Sequence, residues 1–227
     1  MTTSSNIKFI NYELHEEVKV YECAAEISSS PEPVNRQMEQ KQKPNLLINV
    51  YDPKSPNTNY TNTIHMPRLK DALFIYLSNN ENSGYAGGSG GGTAAIGNKE
   101  NTFGIITGHY DSSSSIPTGG FQNLQDAHTF KLCHRLDNKT YTMSPKQAID
   151  YLLGQLSELI QNKKYKYIIL PCELIDKQAV ISDYKSYTIG AKIFNTAPEV
   201  KNYIYNAVVD MTTAKDEGMQ LITDFLK

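Results

Sequence analysis

The 227-residue sequence has no apolar run approaching eighteen residues, so no membrane-spanning helix is expected. Residues 1–6 lack the basic stretch and following apolar run of a secretion signal, and a cytoplasmic location is the expectation. Cysteine is scarce and odd in number: Cys23, Cys133 and Cys172 are too far apart to form a disulfide framework, which suits a reducing compartment. Positive charge is not in excess either. A formal net charge of −2 and a pI near 6.2 give no field for tracking phosphates along nucleic acid, so a nucleic-acid partner is not indicated. Tryptophan is absent beside fifteen tyrosines, a composition that says nothing about function.

What is present suffices for one substantial core, since 39% of the residues are hydrophobic. Residues 7–27 alternate apolar and polar side chains in two runs, the pattern of a hairpin with one wet face. Residues 28–45 have almost nothing to bury and read as a linker. LLINVY at 46–51 is a short strand candidate, and residues 52–62 are rich in turn formers. The chain is therefore expected to divide into an N-terminal strand-and-loop extension, 1–64, and a main domain, 65–227.

ALFIYL at 72–77 is a continuous apolar run of the kind covered on both faces of a sheet, and TFGIIT at 102–107 is a second. Ser144-Pro145 opens a helix whose stripe is Ile149, Leu152, Leu153, Leu156, Leu159 and Ile160. KYIIL at 166–170 reads as a strand ended by Pro171. A helix is expected over 197–211, with Val200, Tyr203, Ile204, Ala207, Val208 and Met211 on one face, and a last helix over 213–226. This order of elements predicts an α/β domain with a mixed, mainly parallel sheet and a β-rich N-terminal extension. The basic run Lys163, Lys164 and Lys166 at a helix-to-strand junction reads as a solvated face.

Six of the nine residues 84–92 are glycine, directly after the strongest strand. Such a loop lets backbone N–H groups approach an anion closely, and Gly84, Gly87, Gly88, Gly90, Gly91, Gly92 and Thr93 form the expected phosphate-binding set. The other reading is a mobile Gly/Ser loop. A Walker A loop is excluded because Gly91-Gly92-Thr93 has no lysine, and the dinucleotide fingerprint loses its last glycine at Thr93.

The stretch 73–108, a buried strand ending in Asn79 and Asn80, then the glycine loop, a small-residue helix start and another strand, resembles the macrodomain and macro-like pattern. Residues 188–200 (TIGAKIFNTAPEV) are similar to the second phosphate loop of that family, and the resemblance covers roughly residues 70–210. It implies a three-layer macro-like fold that binds ADP-ribose, or another phosphorylated small molecule related to it. Asn79 or Asn80 would stand near the distal ribose, residues 87–92 against ribose and diphosphate, and Gly190, Ile193 and Phe194 on the diphosphate's other side. In hydrolytic members the asparagine and the loop orient a water or the scissile ribose. Ala191 and Lys192 depart from the pattern, where a glycine or small polar residue is expected, and Lys192 offers a charge-assisted phosphate contact instead.

His109 and Asp111 follow the 102–107 strand and would share the glycine loop's end of the sheet if the strands are parallel, where a histidine beside a carboxylate can serve as general acid or base. A surface histidine is the alternative. Asp126 with His128, and Cys133 with His134, match no standard zinc spacing, so no metal or other cofactor is expected. A second functional class stays open: an inactive macro-like module that forms a homo-oligomer through its N-terminal extension.

Overall fold

The computed structural model describes residues 43–80, 82–109, 119–126, 128–131, 140–176, 183–190 and 195–227. The expected hairpin in 7–27, the linker up to residue 42, and Cys23, Cys133 and His134 lie outside these residues, as do Asp111, Ala191, Lys192, Ile193 and Phe194.

In chain order the elements are β1 (Asn45–Val50), α1 (Tyr60–Thr63), β2 (Ala72–Ser78), β3 (Gly84–Tyr85), β4 (Thr102–Ile106), β5 (Gly108–His109), β6 (Gly119–Gly120), β7 (His128–Lys131) and β8 (Thr140–Met143). They continue with α2 (Pro145–Asn162), β9 (Tyr167–Leu174), β10 (Tyr187–Ile189), α3 (Pro198–Asp210), α4 (Ala214–Glu217), β11 (Gln220–Leu221) and α5 (Ile222–Phe225). Seven strands form the main sheet in the order β11-β1-β9-β2-β4-β3, with β10 also paired to β9. The pairs β11/β1, β1/β9, β9/β2 and β2/β4 are parallel, whereas β3/β4 and β10/β9 are antiparallel. The expected mixed, mainly parallel α/β sheet is present.

Alternation along the strands builds two cores. Leu46, Ile48, Leu73, Ile75, Leu77, Ile168 and Leu170 face the layer of α2 and α3, while Leu47, Phe74, Tyr76 and Ile169 face the layer of α1 and α5. Every residue of β2 is buried, as a strand covered on both faces requires. Tyr60 of α1 reaches into the sheet, where its hydroxyl donates to the Ile75 carbonyl at 2.9 Å and burial pushes its pKa up. No helix of the described residues is long and apolar enough to cross a membrane. Lys166 pairs with Asp71 at 2.9 Å and Lys163 donates to the Tyr85 hydroxyl, so two of the three lysines in the basic run serve in surface contacts.

Three sequence expectations are corrected. Residues 45–64 do not belong to an extension: β1 lies inside the sheet, between β9 and β11, and α1 packs on it. Pro171 does not end β9, which runs on to Leu174. Its carbonyl accepts from the Gly190 N–H, so the proline nitrogen faces the same edge, between the last β2 pairing at Ile169 and the first β10 pairing at Cys172. No ladder bond needs a donor there. The last expected helix is two short ones, α4 and α5, separated at Gly218, whose φ of 80° is left-handed, and by β11 on the edge of β1.

The helix α2 starts as expected. Ser144 Oγ accepts from the Gln147 N–H at 3.3 Å and Gln147 Oε1 accepts from the Ser144 N–H at 2.9 Å, a complete capping box. Ser144→Ala removes one half of it. Urea denaturation is expected to show a loss of about 1 kcal/mol, with an unchanged slope against urea.

Candidate functional site

Because β2 and β4 run parallel, with Ser78 opposite Ile106, the segments leaving them emerge at one edge of the sheet. This is the edge at which open parallel sheets bind ligands. The loop 79–92 leaves from β2 and residues 107–109 leave from β4 at this edge, and within the loop β3 turns back along β4, with Gly84 opposite Gly104 and Tyr85 opposite Phe103. A third segment joins them. Thr196 Oγ1 donates to the Thr107 carbonyl at 2.9 Å, and the Ala197 N–H donates to the Phe121 carbonyl at 2.9 Å, which fixes the entry of α3 beside the chain that follows β4.

The glycines of the loop do different work. A Cβ on Gly87 would lie 2.0 Å from the Ser83 carbonyl oxygen, and one on Gly97 would lie 1.7 Å from that of Gly88, so both are required by close backbone packing. Gly84 is buried beneath α2. At the tip residues 89–92 are exposed: a Cβ on Gly90 would meet Ala94 Cβ at 3.3 Å and Asn82 Nδ2 at 3.7 Å, one on Gly91 would meet nothing within 4 Å, and Gly92 is held at a left-handed φ of 60°. The Gly88 N–H donates to the Gly97 carbonyl at 3.3 Å and the Gly90 N–H to the Ala94 carbonyl at 2.9 Å. Among the described residues no acceptor faces the N–H groups of Gly91 and Gly92.

Several expected ligand contacts have structural work instead. Thr93 is fully buried, and its hydroxyl accepts from the Leu77 N–H at 3.4 Å, tying the loop to β2. Asn79 Oδ1 accepts from the Asn82 N–H at 3.1 Å, making the turn that opens the loop, and Asn80 is only 2% exposed. Gly190 donates to Pro171, and a Cβ there would lie 2.7 Å from Glu173 Cβ, so it is a packing glycine of the β9/β10 pair. The helix start after the loop is a 3-10 turn, Gly92–Ile96, too short for the helix dipole expected of it. The loop itself carries no cation, because the sequence from 78 to 98 contains no lysine or arginine.

His109 is half-buried and stacks on Phe121, with ring centroids 6.3 Å apart and an interplanar angle of 13°. Its expected carboxylate partner, Asp111, lies outside the described residues. Cys172 is buried in β9, and burial pushes its thiol pKa up, which keeps it protonated and unreactive.

Sequence reasoning missed Tyr76 and Gly104. A Cβ on Gly104 would lie 2.7 Å from the Tyr76 ring, and the signal was a glycine inside the apolar run TFGII, where a strand gives up a side chain only for close approach. Comparison with protein-family models, with curated proteins and with solved structures finds no match.

The glycines can be sorted by stability alone. Gly97→Ala forces backbone apart and is expected to cost roughly 2–3 kcal/mol, whereas Gly91→Ala, at φ −84° in open space, should stay within about 0.5 kcal/mol of wild type. Thermal unfolding of the two variants distinguishes them. Equal midpoints would mean that the packing of Gly97 against Gly88 is wrong.

Proposed function

We propose that this chain binds ADP-ribose or a closely related phosphorylated nucleotide derivative at the C-terminal edge of its parallel sheet. The observation that carries the reading is the contrast within one loop, a tightly packed base at Gly87 and Gly97 beneath an exposed tip whose Gly91 and Gly92 N–H groups donate no hydrogen bond among the described residues. A loop whose base is held while Gly91 at its tip stands in open space is suited to close approach by a ligand backbone such as a diphosphate. The resemblance of residues 73–108 and 188–200 to macro-like proteins supports the same ligand class, as does a mixed, mainly parallel sheet with helices on each face.

In this reading the tip donates N–H groups to the diphosphate, and uncharged donors suit a doubly esterified diphosphate better than a more highly charged terminal triphosphate. Lys192 would add a charge-assisted contact from the segment before α3. Hydrolysis is an extension of the binding reading, with His109 as the candidate general acid or base and Asn79 and Asn80 shaping the loop that orients the ribose.

Calorimetric titration of the full chain with ADP-ribose, NAD, AMP and ATP tests the proposal. Saturable binding of ADP-ribose, tighter than that of ATP, is expected. Gly91→Val places a branched side chain in the ligand's path and should weaken binding about tenfold, about 1.4 kcal/mol, without moving the thermal midpoint. Absence of heat from all four ligands at millimolar concentration, or a Gly91→Val variant that binds like wild type, would remove the reading.

A further inference from the structure

We infer that Tyr76 is the positioning residue of the glycine loop: its buried hydroxyl clasps the loop's entry to its exit and so sets where the exposed tip stands. The inference rests on the ligand reading above for its functional meaning, while the clasp itself stands on geometry alone. Tyr76 lies on β2 and is fully buried in the layer of α1 and α5. Its hydroxyl donates to the Asn82 carbonyl at 2.6 Å and lies 3.4 Å from the Gly97 carbonyl. Asn82 opens the loop, and Gly97 closes the 3-10 turn that follows it. One phenol therefore sits at both ends of the segment that carries the tip.

The surroundings are shaped to admit it. Gly97 and Gly104 each lack a Cβ that would come within 3.0 Å of the Tyr76 ring. The Gly97 carbonyl is also the acceptor for the Gly88 N–H at 3.3 Å and for Thr102 Oγ1 at 3.3 Å, so the clasp is linked directly to the residue that precedes the tip. Between the two ends, Ala86 is held at φ 46°, a left-handed conformation that a non-glycine residue keeps only where its surroundings impose it. The ring fills the core and the hydroxyl orders the loop. Phenylalanine separates the two roles, because it keeps the ring and removes the bond to Asn82.

The test is Tyr76→Phe in the full chain, compared with wild type by amide hydrogen exchange and by titration with ADP-ribose. Exchange at Gly88 and Gly90 is expected to rise about tenfold or more while amides of β2 and β4 keep their protection. ADP-ribose binding should weaken about fivefold at unchanged stoichiometry. A uniform rise in exchange across strands and loop would mark simple destabilisation and overturn the assignment, and so would local loosening with unchanged affinity. A wild-type chain that binds no ADP-ribose sinks the ligand reading alone, and exchange at Gly88 and Gly90 then decides the clasp. Should the variant not fold, native-state exchange of the wild type decides: a Gly88 amide as protected as those of β4 supports the clasp, and one exchanging at the rate of Gly91 overturns it.

Discussion

The arrangement depends on the parallel pairing of β2 with β9 on one side and β4 on the other, under helices on both faces. Parallel pairing sends the chain out of β2 and β4 at one edge, and two-sided burial leaves these strands no polar surface of their own. The shared exit of the segments after β2 and β4 follows from strand direction, whereas the start of α3 is held beside Thr107 and Phe121 by the Thr196 and Ala197 hydrogen bonds.

Within the loop, rigidity and accessibility are divided by position. Gly87 and Gly97 are glycines because backbone passes over backbone, and Thr93 holds the far side of the turn to β2 through its hydroxyl. Gly90, Gly91 and Gly92 form the exposed part. A loop of the same composition with no such base would keep more conformational entropy, whereas here much of the ordering is already present in the fold.

Local signals in the sequence were read well where they acted locally. The Ser144-Pro145 opening and the apolar stripe behind it specified α2, and the unbroken apolar run 72–77 specified a strand buried on both faces. Errors arose wherever the deciding partner is remote. β1 looks like part of an extension until β9 is placed beside it, and Pro171 looks like a terminator until the exchange of β2 for β10 along β9 removes the need for its N–H. The break at Gly218 likewise depends on β11 reaching the edge of β1. In the glycine run, composition cannot tell a glycine kept for packing from one kept for access, because the atoms that make the difference belong to Ser83, Gly88 and Tyr76.

The position of β9 has a consequence for how the chain reaches this state. β9 is made long after β1 and β2, yet it is the strand that lies between them. During synthesis, β1 cannot meet its neighbour and β2 can pair only with β4, so apolar strand edges stay open until residues 167–174 have emerged. Closure of the sheet is thus a late, long-range event with a large loop-closure cost, and the half-made chain presents sticky edges to its neighbours in the meantime.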